Sequence, residues 1–535
     1  MQLKIIEILL KEAVLDIKNN KKDDAIDKLK KINLIDENNI LSNFYLGNLF
    51  FEKKEFEHSL KFLKKAISLK YNFAEAYNSI GLVYKNLNDL NKARKSFENS
   101  IKFNKNLSDP YNNLGTLRRD HNDIKGAKEN FLKSIQIKDD YFPAYINLLQ
   151  LYERLNDLDS LKQLIQKCET KFNNNSIIKL YKGKLQYKIK EYDNSISTLE
   201  NLKFDDSQQF LEKSRLSQLA KSYEKNKNYE KSFEYFKKLN EYSFKLLPKN
   251  TNKSFFLNQI KIRNDFFQYN KKISWPSEND ENDLTPVFLI GFPRSGTTLL
   301  NTILKSHEKI ITVDEKNTVE ILIEKLRELT NNNFENLKKL SKNNLKLLKA
   351  NYFDQISKFV NGNYKNTVVI DKMPLNIIYI GEILRVFPNS KFIFLLRDPR
   401  DSVLSCYFQD FLLNNAMSNF LTINDTINLY DAVMNLWKNY NNIFQFNSCV
   451  IKYEDLVLNF DSTTSKILNF LNLPWSDNLY NFNLTAKNEG LIATPSYDQI
   501  IEPLNKNAIG RHKYYQKYIE KIGNKLQPWC EYFDY

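Results

Sequence analysis

From the first residues to about position 246 the apolar residues recur at helical spacing. Leu29, Leu63, Phe97 and Phe131 stand 34 positions apart, as do Tyr77, Tyr111 and Tyr145. Between them run Lys, Asp, Glu and Asn, which predicts a succession of short amphipathic helices. The stretch Lys249–Asp283 is polar and interrupted by Trp275-Pro276, and reads as a connection. At Pro286 the pattern changes to an unbroken apolar run, Val287-Phe-Leu-Ile290, then a short Gly-containing loop, then a helical segment from Leu299 to Leu304. A second such run, Phe392-Ile-Phe-Leu-Leu396, predicts a further buried strand, and Ile451-Lys-Tyr-Glu-Asp-Leu456 reads as another strand.

The helical part is periodic in its small residues as well. Gly47, Gly81 and Gly115 share the 34-residue step, as do Ala25, Ser59, Ala93 and Ala127, and Phe50, Tyr84 and Tyr152 form a further aromatic column. Small residues let two antiparallel helices approach, while the aromatic columns fill the groove against the next pair. This resembles the tetratricopeptide repeat, a helix-turn-helix unit of that length. The Gly is lost after Leu149; the pattern returns at Gly183, Ser195 and Leu199, then with a three-residue slip at Ala220, Tyr223, Ser232 and Phe236. The expected organisation is an α solenoid of about seven repeats over 1–246, a linker over 247–283, and an α/β domain with a P-loop-like parallel sheet flanked by helices over 284–535. Such solenoids offer a concave surface for a peptide or protein partner, or serve as a scaffold.

Composition excludes several classes. Hydrophobic residues make up 42% of the 535, too many for a disordered chain, and no apolar run approaches the ~18 residues that span a bilayer. The N-terminus has no unbroken apolar core and no small-residue cleavage site, so a cytoplasmic location is expected. Cys168, Cys406, Cys449 and Cys530 have no metal or disulfide spacing, so reduced, mainly buried thiols are expected. The net charge of +15 comes from Lys alternating with Asp and Glu along helices, which disfavours nucleic acid as a partner.

The chemistry begins at Gly291-Phe-Pro-Arg-Ser-Gly-Thr-Thr298, between strand and helix. Gly291 and Gly296 let successive backbone N–H groups point into one concavity, with the positive end of the helix behind them, so an anion is expected there. A nucleotide P-loop carries Lys before its Ser or Thr, but Thr297 occupies that place and Arg294 supplies the cation instead. Kinase or ATPase chemistry is thereby disfavoured. This stretch resembles the 5′-phosphosulfate loop of sulfotransferases, whose donor is 3′-phosphoadenylyl sulfate (PAPS).

That resemblance requires a second anion site for the donor's 3′-phosphate, and the strand ending in Arg397, with Ser405 two helical turns on, meets it. The resemblance is nearest to the tyrosylprotein sulfotransferases. By it, Lys372 in Val368-Val-Ile-Asp-Lys-Met-Pro stands where cytosolic sulfotransferases carry a catalytic His, and Glu315, at the end of His307-Glu-Lys-Ile-Ile-Thr-Val-Asp-Glu, is the base. It also makes Tyr453 a nucleotide-flanking ring, Ser496 an aid to the transferring group, and Arg511 a further charge at the 3′-phosphate. The loop at Gly510-Arg511-His512 looks like the C-terminal motif of bacterial proteins that join such repeats to a sulfotransferase domain.

The implied catalytic set is Glu315, Lys372, Arg294 and Ser496. The donor set is Gly291, Arg294, Ser295, Gly296, Thr297, Thr298, Arg397, Ser405, Tyr453 and Arg511, all after Pro286. The expected activity is PAPS-dependent sulfuryl transfer, without a metal, to a protein, peptide or glycan hydroxyl, with protein tyrosine first, while the repeats present the acceptor or a partner. The alternative is a repeat-based binding scaffold with an inactive transferase domain.

Overall fold

The structure is a computed structural model, and it describes all residues except 1, 270–274, 276–284, 361–366, 489–503, 505 and 520–522. It falls into two compact units, Met1–Lys190 and Glu191–Tyr535.

The first unit is helical throughout, with eleven helices between Gln2 and Lys188 among its described residues. The glycine column has the expected cause. A Cβ on Gly47 would meet the Leu63 side chain at 2.5 Å, one on Gly81 the Phe97 ring at 2.5 Å, and one on Gly115 the Phe131 ring at 2.7 Å. Each large residue of the second helix therefore occupies the space a side chain on the first would need. A second periodic device lies in the turns. Asn20, Lys54, Asn88, Asn122, Asn156 and Lys190 all adopt positive φ and are spaced by 34. Here the chain leaves one helix and doubles back, a left-handed position that Asn tolerates better than most residues. The register thus persists through the repeat where the glycine is lost. The next such residue is Lys227, three positions late, where the sequence slips. Asp89, Asp123 and Asp157 follow these turns and accept the amides of Lys92, Gly126 and Ser160, capping the second helices.

The second unit is built on five parallel strands: β1 Val287–Gly291, β2 Ile310–Asp314, β3 Val368–Lys372, β4 Lys391–Leu396 and β5 Asn447–Lys452, in the order β2-β3-β1-β4-β5. Alternate residues feed two cores. Phe288, Ile290, Phe392 and Phe394 face one side, and Val287, Leu289, Ile393 and Leu395 the other. Both faces are covered, as parallel sheets require. The first core also takes in Leu216, Ala220, Phe236 and Leu239 from the helices Gln209–Lys225 and Tyr229–Lys245, which read as the last repeat.

The segment expected to be a linker also differs from expectation. Lys253–Tyr269 is a helix whose Ile260, Arg263 and Phe267 are buried, and Arg263 pairs with Glu382 at 2.7 Å, both shielded from water. Its polar appearance came partly from this neutralised charge. Compactness divides the chain at 190 and not at 246, because Phe236 stacks on Phe408 at 4.0 Å, Phe233 on Tyr518 at 3.7 Å, and Asn240 donates to the Tyr407 carbonyl at 2.8 Å. A protein starting at residue 191 is expected to melt cooperatively, whereas one starting at 250 loses these contacts. Each lost large side chain removes about 1.5–3 kcal/mol of burial. Thermal melts of the two truncations check this, and equal melting temperatures would refute it.

Candidate functional site

The strand order places the site. β1 continues toward β2 on one side and β4 toward β5 on the other, so the two chains leave their neighbouring C-terminal ends in opposite directions. A crevice opens at such a switch point. Gly291 pairs with Leu395, so the loop after β1 and Arg397 after β4 emerge side by side.

The loop is tightly built. Arg294 has φ of 66° and Gly296 φ of 98°. A Cβ on Gly296 would meet the Tyr453 ring at 2.4 Å, and one on Gly291 the Leu395 carbonyl at 2.6 Å, so both positions need glycine. The helix Thr297–Lys305 starts at Gly296 with no side chain capping it. Thr297 and Thr298 are buried in its first turn, and Ser295 Oγ is buried with no protein partner among the described residues. From below, the Cys406 thiol donates to the Pro293 carbonyl at 3.1 Å.

Three cations converge on this loop. Arg294 Nε donates to Ser405 Oγ at 3.3 Å. Arg397 donates from Nη1 to the Arg294 carbonyl at 3.0 Å and from Nη2 to the Ala508 carbonyl at 2.5 Å, and its guanidinium lies 5.1 Å from the Tyr453 ring centre. Arg397 Nε is buried and has no protein partner among the described residues. Burial and the neighbouring charges of Arg397 and Arg511 pull the Arg294 pKa down to about 10, which leaves it protonated at neutral pH. Like charges held together in this way raise one another's energy until an anion joins them.

Arg511 and Ser405 are more engaged than the sequence implied. Arg511 is held by Glu224, and Ser405 accepts from Arg294. The segment carrying Arg511 is fastened by Asp401, which accepts the Gly510 and His512 amides, both at 2.7 Å, and His512 Nδ1 lies 3.0 Å from it. Burial alone would raise the Asp401 pKa, but the His512 bond and the Arg397 charge hold it below the usual carboxylate range. Neither Glu224 nor Asp401 was found from the sequence. Asp401 lies in the first turn of the helix Pro399–Tyr407, where an acid reads as a complement to the helix end, and Glu224 is one acid among many on a repeat helix.

Glu315 and Lys372 meet at the ends of β2 and β3, where Asp314 pairs with Lys372 in the parallel register. The Glu315 amide donates to the Lys372 carbonyl at 2.8 Å, and its φ of 48° turns the chain sharply there. Lys372 Nζ, wholly buried, donates to Glu315 Oε1 at 2.6 Å and lies 2.5 Å from Asp314 Oδ1. The Glu315 side chain remains 40% exposed, at a cavity of about 270 Å³ lined also by Lys316, Ile321, Gln355 and Phe359. Beneath it, Asp371 accepts hydrogen bonds from the Thr318 and Tyr352 hydroxyls, and burial pushes its pKa up to about 6. Ser496 lies outside the described residues.

Residues 286–477 match the sulfotransferase family, residues 47–88 match one tetratricopeptide repeat profile, and residues 74–107 and 215–245 match another. The chain is 26% identical over 327 residues to an uncharacterized protein of Aquifex aeolicus, covering 58% of this chain and 40% of the relative. It is 25% identical over 248 residues to a protein-tyrosine sulfotransferase of Drosophila melanogaster, with 42% of this chain and 46% of the relative covered. To protein-tyrosine sulfotransferase 1 of Danio rerio it is 24% identical over 245 residues, or 43% and 66%. The chain thus spans between two fifths and two thirds of the length of these relatives. Its N-terminal half carries tetratricopeptide repeats and its C-terminal half a sulfotransferase-family domain. Among the described residues no helix is long and apolar enough to cross a membrane.

Proposed function

We propose that the chain transfers a sulfuryl group from PAPS to an acceptor hydroxyl, with a protein tyrosine as the first acceptor and the repeats presenting the acceptor or a partner. The observation that carries this reading is the convergence of Arg294, Arg397 and Arg511 on a loop that opens an uncapped helix. Two buried polar atoms without a protein partner among the described residues, Ser295 Oγ and Arg397 Nε, fit an anionic ligand there. Phosphates at two ends of a nucleoside match cations from two strand ends better than one triphosphate would, because Thr297 stands where a triphosphate loop has Lys. The protein-tyrosine sulfotransferases among the relatives supply the acceptor class.

The donor would be held by the loop amides with Arg294 at its 5′ end and by Arg397, Ser405 and Arg511 at its 3′-phosphate, with Tyr453 beside the nucleotide. When bound it supplies an activated sulfuryl group with a phosphate as leaving group. Arg294 and the loop amides neutralise charge growing on that phosphate, a preorganised electrostatic role. Glu315 receives the proton of the attacking hydroxyl, and Lys372 fixes the direction of its carboxylate. The helices around the crevice hold these groups in line, so most of the protein's contribution is orientation.

Adenosine 3′,5′-bisphosphate is expected to stabilise the chain by about 2.7 kcal/mol at a hundredfold excess over its Kd, seen as a rise in melting temperature, with ATP and Mg²⁺ far less effective. Equal stabilisation by the two would remove PAPS from the reading. Incubation with labelled donor and a cell extract then identifies the acceptor; bisphosphate binding with no labelled product would favour the inactive scaffold.

A further inference from the structure

The last two helices of the repeat series, Gln209–Lys225 and Tyr229–Lys245, lie in the same compact unit as the parallel sheet. They grip one particular segment of it. Tyr229 stacks on Tyr514 at 4.5 Å, Ser232 Oγ lies 3.0 Å from the Tyr515 hydroxyl, and Phe233 stacks on Tyr518. At the head of this segment Arg511 gives Nε and Nη2 to the two carboxylate oxygens of Glu224, the second at 2.6 Å. Its guanidinium carbon also lies 4.9 Å from the Phe408 ring centre. A fork held at one edge and stacked on a ring has one orientation.

That fixed cation is tied to the arginines of the loop by geometry: Asp401, which accepts the amides on either side of Arg511, lies 4.0 Å from Arg397, and Arg397 donates to the Arg294 carbonyl. Glu224 is the odd member of the arrangement. A carboxylate beside an anion site cancels charge, so attraction alone gives no reason for it. What it supplies is direction: Nε and Nη2 are committed, and Nη1 takes no part in the fork. On the opposite side Asp401 holds the Gly510 and His512 amides, so Arg511 is fixed through backbone and side chain together.

We propose that Glu224, on a repeat helix, is a positioning residue of the donor site that aims Arg511 at the 3′-phosphate of a nucleoside 3′,5′-bisphosphate, so that the last repeat takes part in selecting 3′-phosphorylated nucleotides. The proposal rests on the donor assignment above. It makes the final helix pair part of the transferase's nucleotide specificity and separates it in role from the preceding repeats.

The test measures, on the full chain, calorimetric affinities for adenosine 3′,5′-bisphosphate and for adenosine 5′-monophosphate. The parent should prefer the bisphosphate; a parent without preference would overturn the donor assignment itself. Glu224→Gln is expected to lose about tenfold in bisphosphate affinity, as for one charge-assisted hydrogen bond, while its monophosphate affinity changes less than about twofold. Arg511→Lys keeps the charge but cannot be held by a fork, so it should show the same selective loss and serves if the first variant folds poorly. The double variant should be little worse than either single one, since both remove one device. Equal losses for the two nucleotides would mean Glu224 is merely structural. An unchanged preference, or tighter bisphosphate binding from removal of a competing carboxylate, would also overturn the proposal.

Discussion

Replacing Glu315 with Gln is expected to slow turnover by about 10²–10⁴-fold while leaving bisphosphate affinity nearly unchanged, the usual effect of removing a positioned general base. The geometry separates the two quantities. Glu315 follows β2 and bonds to Lys372 through Oε1, whereas the three arginines gather at the ends of β1 and β4 and in the C-terminal segment. One carboxylate oxygen is fixed by Lys372, and the side chain is 40% exposed at the cavity, so an incoming hydroxyl can reach it. Gln keeps the volume and the bond geometry but accepts no proton. Single-turnover rates with saturating donor and acceptor make the comparison, because they report chemistry apart from product release. A variant that reacts at close to the parent rate would move the base elsewhere. His307 would not replace it: its ring is buried, Nδ1 accepts the Lys309 amide and Nε2 lies 2.9 Å from the Pro474 carbonyl. Asp314, which shares Lys372, would be the group to test.

Lys372→Met should lower the rate by about 10²–10³-fold, comparable to loss of one preorganised donor in other sites. The sequence resemblance placed Lys372 where cytosolic sulfotransferases carry a catalytic His. The structure puts its Nζ between Asp314 and Glu315, so its first effect is to hold the Glu315 carboxylate. Met has nearly the same length and leaves the two carboxylates together without a cation. Both reach water, at 29% and 40% side-chain exposure, so the fold should survive. The expected signature is a large fall in kcat with bisphosphate affinity reduced less than about threefold. Combination with Glu315→Gln should add little, because the two residues act as one unit. A loss of bisphosphate affinity as large as the loss of rate would instead put Lys372 on the phosphate.

The repeats could be read in the sequence because a repeat writes the same requirement many times. Small residue opposite large residue recurs every 34 positions, and so, less visibly, does the positive-φ turn from Asn20 to Lys190. Arg294 was legible for a related reason: an apolar run, a loop with two glycines and a helix are local events, and an arginine inside that loop has little structural purpose. The unbroken apolar runs at Val287–Ile290 and Phe392–Leu396 likewise determined that these strands would be covered on both faces.

Tertiary structure decided what depends on isolated residues far apart in the chain. The polar stretch after residue 246 hid a packed helix, because its apolar stripe of Phe256, Ile260 and Phe267 is interrupted by Arg263, whose charge is neutralised by Glu382 more than a hundred residues away. Glu224 and Arg511 are 287 positions apart, and nothing in the neighbourhood of either marks the pair. Lys372 and Glu315 could be named from resemblance, but only the parallel register of β2 and β3 places the ammonium between Asp314 and Glu315. The physical reason is one of scale. Periodicity and turn chemistry act over a few residues and leave a pattern in the chain, whereas an ion pair formed once between distant elements leaves only two charged residues among many.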